Sequence, residues 1–140
     1  MEKTFFIYKP DSMQRPIIQK AFEQRLKDAE LVITATQLVH PTKIKMLLKK
    51  HYAHIVDKPF YPAIEAYMTS CPILIGTIEG TNAVEKVRII LGATDPRQAD
   101  PTSIRGQFGN VDAAGNMFNC VHASDSVTNA EKEIALWFAS

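Results

Sequence analysis

The 140 residues carry 46% hydrophobic and 22% charged side chains and a formal net charge of +1, an ordinary globular balance with room for one sizeable core. A charge so near zero excludes a global field that would draw the chain to nucleic acid or an anionic membrane, so any anion site must come from locally placed cations. No apolar stretch of membrane length and no secretory leader are evident, which predicts a cytoplasmic protein, and 1–140 reads as one domain.

Thr4 to Lys9 reads as a short buried strand closed by Pro10-Asp11. Arg15 to Ala29 reads as a helix, because Ile18, Phe22, Leu26 and Ala29 recur at helical spacing, and Pro16 is tolerable only in its first turn. Leu31 to His40, rich in β-branched residues, is the second strand. Pro41-Thr42 opens a helix with Ile44, Leu47, Leu48 and His51 on one face and Lys43, Lys45, Lys49 and Lys50 elsewhere. Pro59 and Pro62 bracket a turn before a short helix carrying Ile64, Tyr67 and Met68. Pro72 to Glu79 is the third strand, and Val84, Val87 and Leu91 drive the next helix up to Gly92. Ala93 to about Asn116 has no periodicity, and a loop this long in a compact domain is usually functional. Met117 to His122 is the fourth strand. Thr128 and Glu131 make a capping box for a last helix whose buried stripe is Ala130, Ile134, Trp137 and Phe138. Cys71 and Cys120 each lie in an apolar run and read as buried thiols.

Strands alternating with helices predict an α/β (α+β) fold close to the split βαβ arrangement: a ferredoxin-like two-layer sandwich with a four-stranded antiparallel sheet covered by helices. A doubly wound parallel sheet is the competitor, but no strand-to-helix turn carries a glycine-rich phosphate loop.

Chemistry concentrates where the fourth strand breaks into a polar turn, at Asn119-Cys-Val-His-Ala-Ser-Asp-Ser126. Glu133 borders the buried stripe of the following helix, and a carboxylate there needs a donor; His122 and Ser124 are the nearest candidates. A carboxylate holding one ring nitrogen fixes the tautomer and leaves the other nitrogen free as a nucleophile. His122, Ser124 and Asp125 are too closely spaced for a hydrolase triad. Arg88 lies beside an apolar stripe and either snorkels out or points into a cleft. Arg105 sits in the long loop, and Lys9 at the mouth of a strand; converging, the three would match a polyphosphate. Tyr52 offers a phenol to a phosphate or is packing. Phe60, in a proline-bounded turn, stacks a base or plugs the core. His51 and His54 lie three apart near a helix end without an evident third ligand, so no metal site is expected.

These residues fall in five segments: Thr4-Phe-Phe-Ile-Tyr-Lys-Pro-Asp11, His51-Tyr-Ala-His-Ile-Val-Asp-Lys-Pro-Phe60, Val87-Arg-Ile-Ile-Leu-Gly-Ala-Thr-Asp-Pro96, Pro101-Thr-Ser-Ile-Arg-Gly106, and Asn119-Cys-Val-His-Ala-Ser-Asp-Ser-Val127 running on to Ala130-Glu-Lys-Glu-Ile-Ala-Leu-Trp-Phe138. In this order they resemble a nucleoside diphosphate kinase over nearly the whole chain. The resemblance implies a ping-pong exchange. A nucleoside triphosphate gives its γ-phosphoryl to His122, and the phosphohistidine passes it to a nucleoside diphosphate. It also implies that Glu133 orients His122 with support from Ser124, and that Arg88, Thr94 and Arg105 hold the phosphates beside Tyr52. Lys9 and Asn119 would address the sugar and the phosphate end, and Phe60 the base. Mg²⁺ would be bound mainly through nucleotide phosphates, and the assembly would be a homo-hexamer or tetramer. The ferredoxin-like fold it implies agrees with the strand and helix order.

Three places depart from the family pattern. Ser12 and Ala123 stand where glycines are usual, and alanine would strain a turn that needs positive φ. Gln107 to Phe118 is longer than is usual. Strict alternation also puts Asn119 and His122 on opposite faces of one strand, so both serve one site only if the strand twists or bulges between them.

Overall fold

The structure, a computed structural model, describes residues 1–138. In chain order the elements are β1 (Glu2–Tyr8), α1 (Pro10–Gln14), α2 (Pro16–Asp28), β2 (Val32–Val39), α3 (Pro41–His51), a single 3₁₀ turn (Ala53–Ile55), α4 (Tyr61–Met68), β3 (Ile73–Gly80), α5 (Ala83–Leu91), α6 (Ile104–Phe108), β4 (Asn110–Val111), β5 (Met117–Phe118), β6 (Val121–Ala123) and α7 (Val127–Phe138). Four strands form an antiparallel sheet in the order β2-β3-β1-β6, the ferredoxin-like arrangement expected.

β1 is buried without alternation from Thr4 to Tyr8, so both faces of the sheet must be covered. Phe6, Tyr8, Ile78 and Val121 pack against Ile18, Phe22 and Leu26 of α2 and Val87 and Leu91 of α5 on one face. Phe5, Ile7, Ile73 and Ile75 pack against Ile44, Leu47 and Leu48 of α3, Met68 of α4 and Trp137 of α7 on the other. Helices therefore cover both faces of the sheet, and α7 shares the second face with α3 and α4.

Four local expectations are corrected. Pro10-Asp11 does not merely end a strand: Pro10 starts the short helix α1, and Pro16 starts α2 afresh, each at a first-turn position where its missing N–H costs nothing. The long loop is not structureless, since Ser103 caps α6 by accepting from Gly106 N, and β4 and β5 pair as a small hairpin. The fourth strand is not continuous from Met117 to His122. It breaks at Cys120, whose φ of 73° is left-handed. Finally, Ser126 rather than Thr128 begins α7, its Oγ accepting from Asn129 N at 3.0 Å.

The centre of the sheet is tight at one residue. Gly76 of β3 sits opposite Phe6 of β1, and a Cβ there would lie 2.4 Å from the Phe6 ring and 2.9 Å from the Ala35 carbonyl oxygen. Gly76→Ala is expected to destabilise the fold by about 1–3 kcal/mol through overpacking, read as a lower urea midpoint at unchanged slope.

Candidate active site

The site is assembled around the break at Cys120. Its N–H donates to Asp11 Oδ2 at 2.9 Å. Its carbonyl accepts Lys9 N–H at 3.0 Å and Ser12 Oγ at 2.6 Å. Ser12, buried, thus gains a hydrogen bond that glycine could not make. The left-handed residue breaks the strand and resets the alternation, so Asn119 and His122 line the same cleft. Ala123 is not among the residues with positive φ and sits in β6, so the alanine carries no left-handed strain.

His122 is held from below. Its Nε2 lies 2.9 Å from Glu133 Oε1, and Ser124 Oγ donates to the same oxygen at 2.6 Å. Glu133 comes from the inner flank of α7, one residue from the stripe that buries Ala130 and Trp137. Burial alone would raise the Glu133 carboxyl, but the His122 and Ser124 hydrogen bonds outweigh it and hold the pKa below the ordinary value. With Nε2–H committed to a carboxylate, Nδ1 carries the lone pair.

The cleft in front of His122 has a volume of about 1170 Å³, and Lys9, Tyr52, Arg88, Thr94, Arg105 and Asn119 line it. The convergence that spacing could not establish is therefore present. Lys9 Nζ donates to Asn119 Oδ1 at 2.7 Å, and Asn119 Nδ2 donates to the Thr94 carbonyl at 3.0 Å. Burial, with the nearby Arg105 charge, lowers the Lys9 pKa to about 8, so the ammonium is still charged at neutral pH but is short of counter-charge. Arg88 is exposed; its carbonyl accepts from Gly92 N–H at 2.9 Å, and among the described residues its guanidinium has no hydrogen-bonding partner. Arg105 differs from the expected free loop arginine. Its guanidinium donates to the carbonyls of Asn119 (3.1 Å), Gly92 (3.0 Å) and Val121 (2.6 Å), so it braces the turn and keeps two N–H groups for a ligand. Burial raises the Tyr52 pKa, with the Glu133 charge adding to it, and the phenol stays a donor.

Phe60 does not plug the core; it is 53% exposed. It lines a second cavity of about 450 Å³ with Ile64, Tyr67, Met117 and Phe118, and Lys9, Tyr52, Thr94 and Asn119 border both cavities. A polar, cationic chamber and an apolar one thus share a wall. Two residues outside the expected set also belong here. Asp11 ties Cys120 N to the Tyr67 hydroxyl, which donates to Asp11 Oδ1 at 2.5 Å. His51 packs edge-on to His122, ring centroids 4.8 Å apart, whereas His54 is exposed and lines the cleft without joining the His51, His122 and Glu133 group. His51 could have been found from its place on the buried face of α3 beside Tyr52; Asp11 has no comparable sequence signal.

The nucleoside diphosphate kinase family model matches residues 2–140. The chain belongs to the nucleoside diphosphate kinase family. It is 44% identical over 138 residues to a nucleoside diphosphate kinase of Streptococcus uberis, spanning 98% of this chain and 94% of that protein. It is also 44% identical over 137 residues to one of Eremothecium gossypii, spanning 98% and 86%. The structure superposes on nucleoside diphosphate kinase from Encephalitozoon cuniculi with a TM-score of 0.84 at 34% identity, covering 100% of this chain and 90% of that one. It superposes on the Halobacterium salinarum kinase in complex with CDP with a TM-score of 0.85 at 35% identity, covering 99% and 88%. Nucleoside diphosphate kinases are phosphotransferases.

The Lys9 environment gives a measurable consequence for this kinase. An anion arriving beside Nζ returns its pKa toward the ordinary 10.5, so between about pH 8 and 10.5 the bound state holds more protons than the free state. Nucleoside diphosphate binding at about pH 8.5 should take up a fraction of a proton that vanishes well below pH 8 and in Lys9→Met. Calorimetry in two buffers of different ionisation enthalpy reads it directly.

Proposed function

We propose that this kinase moves the γ-phosphoryl of a nucleoside triphosphate to a nucleoside diphosphate in two half-reactions through a phosphohistidine at His122, with residues 1–140 acting as one domain. The observation that carries the reading is His122 held by Glu133 Oε1 at Nε2, with its other nitrogen left for a cleft lined by Lys9, Arg88 and Arg105. Nδ1 attacks the γ-phosphorus and the diphosphate leaves; the second diphosphate then takes the group by the reverse path. Glu133 balances the positive charge that grows on the imidazole, and Ser124 keeps the carboxylate in place. Arg88, Arg105, Thr94 and Tyr52 hold phosphate oxygens, where in-line displacement needs spread negative charge stabilised. Lys9 and Asn119 meet the sugar and phosphate end at the shared wall. Phe60 stacks the base, a contact every base can make, so tolerance of different bases follows.

The donor set facing the cleft fits Mg²⁺ held mainly by the nucleotide's phosphates. Glu2, Glu85, Asp125 and Glu133 line the cleft, but none is gathered into an all-oxygen cage, and Glu133 Oε1 already accepts two hydrogen bonds. When bound, the cation neutralises phosphate charge and leaves the protein groups to orient. Free thiols at Cys71 and Cys120 support a reducing, cytoplasmic setting. No described helix is long and apolar enough to cross a membrane. Among the described residues β2 pairs only with β3, and it leaves Val32 60% and Leu38 48% exposed on an open edge, which supports self-association; a hexamer or tetramer is the assembly proposed.

Incubation with ATP labelled at the γ-phosphate and Mg²⁺ should leave acid-labile phosphate on the protein, discharged by a nucleoside diphosphate. His122→Ala should take no label while keeping its circular dichroism, and Glu133→Gln should slow labelling by roughly 10–100-fold. An unlabelled wild type would rule the reading out. Light scattering should give four or six times the 15.7 kDa chain mass, and Leu38→Arg should reduce it; a monomeric wild type at micromolar concentration would contradict the assembly.

A further inference from the structure

Behind the nucleophile a third side chain faces Glu133. His51, from the end of α3, has a side chain only 4% exposed, and its Nε2 lies 3.9 Å from Glu133 Oε2, the oxygen that His122 and Ser124 do not use. Its other nitrogen is spoken for. The Trp137 indole Nε1–H donates to His51 Nδ1 at 3.1 Å. An indole can only donate, so Nδ1 must accept, and the proton of the neutral ring sits on Nε2.

That tautomer decides between two uses of the cluster. His51, His122 and Glu133 offer one ligand atom each within 4.8 Å of one another, a spacing at which a metal ion could be held. An ion would need a lone pair on His51 Nε2, and Trp137 removes it by keeping the proton there. What remains is an N–H dipole whose nitrogen lies 3.9 Å from a carboxylate oxygen, an electrostatic contact longer than a direct hydrogen bond.

We propose that His51 is a positioning residue for the phosphoryl transfer: it directs a neutral Nε2–H at Glu133 Oε2 and thereby keeps Oε1 on His122. This rests on the reading of His122 as the phosphoryl carrier. In the first half-reaction the Nδ1 lone pair of His122 bonds to the γ-phosphorus. The bond from that phosphorus to the β–γ bridging oxygen breaks, and the electron pair leaves with the diphosphate. The His122 Nε2 proton stays in place, and the charge developing on the ring is met by Glu133. His51 exchanges neither atom nor proton. Neutrality is what suits it to the position, because a second imidazolium would compete for the same carboxylate. Burial first, then the neighbouring His122, lowers the His51 pKa to about 4, while Glu133 opposes and Lys9 and His54 add to the lowering. Tyr52 packs on the remaining side, ring centroids 4.7 Å apart.

The test uses the full-length protein with His51→Leu, His51→Gln and Trp137→Phe. Glutamine keeps an N–H donor near the position of Nε2, and leucine removes it. The rate of single-turnover phosphorylation by ATP should fall about tenfold or more in His51→Leu with nucleotide KM little changed, and His51→Gln should recover most of it. Nitrogen NMR of the wild-type rings should show His51 as the Nε2–H tautomer without titration above about pH 5, and Trp137→Phe should release it into a mixture of tautomers. A wild-type His51 that carries its proton on Nδ1, or titrates near pH 6.5, overturns the proposal even if the variants fold poorly. So does an unchanged rate in His51→Leu, a loss confined to KM, or an equal loss in the leucine and glutamine variants. A wild type that takes label while the variants behave in these ways overturns the role of His51 alone; a wild type that takes none overturns the phosphohistidine reading and this inference together.

Discussion

The left-handed turn at Cys120 is the constraint on which the cleft depends. A non-glycine residue at φ 73° costs roughly 1–2 kcal/mol relative to the right-handed regions. Such a conformation persists only where its surroundings over-determine it. Here both backbone polar groups of Cys120 are engaged, the N–H by Asp11 and the carbonyl by Lys9 N–H and Ser12 Oγ. The flanking carbonyls of Asn119 and Val121 are both gripped by one guanidinium, that of Arg105. The thiol itself is buried, its pKa pushed up to about 12 by burial and by Asp11 beside it, so it fills space without reactivity. Undo the turn and the strand runs straight, with Asn119 and His122 on opposite faces of the sheet.

The same clamp explains the electrostatics. Lys9 follows β1, whose last residue, Tyr8, pairs with Val121, so the ammonium arrives beside the turn as a consequence of sheet register. Arg105 arrives because α6 presents it to the carbonyls it braces. Both cations are partly desolvated before any ligand binds, and the hydrogen bonds that hold them come from neutral carbonyls and an amide rather than from carboxylates. An internal ion pair would have satisfied them. Among the described residues no carboxylate hydrogen-bonds either cation, so their charge faces the cleft in a setting where screening is weak.

Much of this was legible in the residues. The apolar run Thr4 to Tyr8 marks a doubly covered strand, and the stripe Ala130, Ile134, Trp137 is enough to place Glu133 on the inward flank of α7. The succession of four main strands and their intervening helices along the chain also follows from short apolar runs alternating with helical periodicities, though not the order in which the strands pair. What escaped depends on contacts between distant segments. Nothing local marks Cys120 as left-handed, because its clamp comes from Asp11, Ser12 and Arg105. Arg105 reads as a solvated loop cation until α6 is seen to deliver it to three carbonyls. Exposure of Phe60 is equally tertiary: a proline-bounded turn fixes the backbone, but only the neighbouring β4–β5 hairpin decides whether the ring faces a cavity.

His51 is the sharpest case. Its periodicity assigns it to the core, and it is in the core, yet the two groups that define its state lie in α7, with Trp137 86 residues away in sequence. A histidine on a buried stripe is ordinarily a packing residue with one satisfied nitrogen. Here the packing partner is a donor-only ring, and that single fact determines which nitrogen keeps the proton and what the proton faces. One helix therefore supplies both the indole that sets the tautomer of His51 and the carboxylate 3.9 Å from its other nitrogen, four residues apart on the same inward face. Because Trp137 is fully buried against Phe5, the placement of His51 and of the carboxylate beside it is tied to the packing of β1. The His122–Glu133 pair is thereby tied to the buried core, whereas Phe60, 53% exposed, stands at the other end of the paired cavities beside the β4–β5 hairpin.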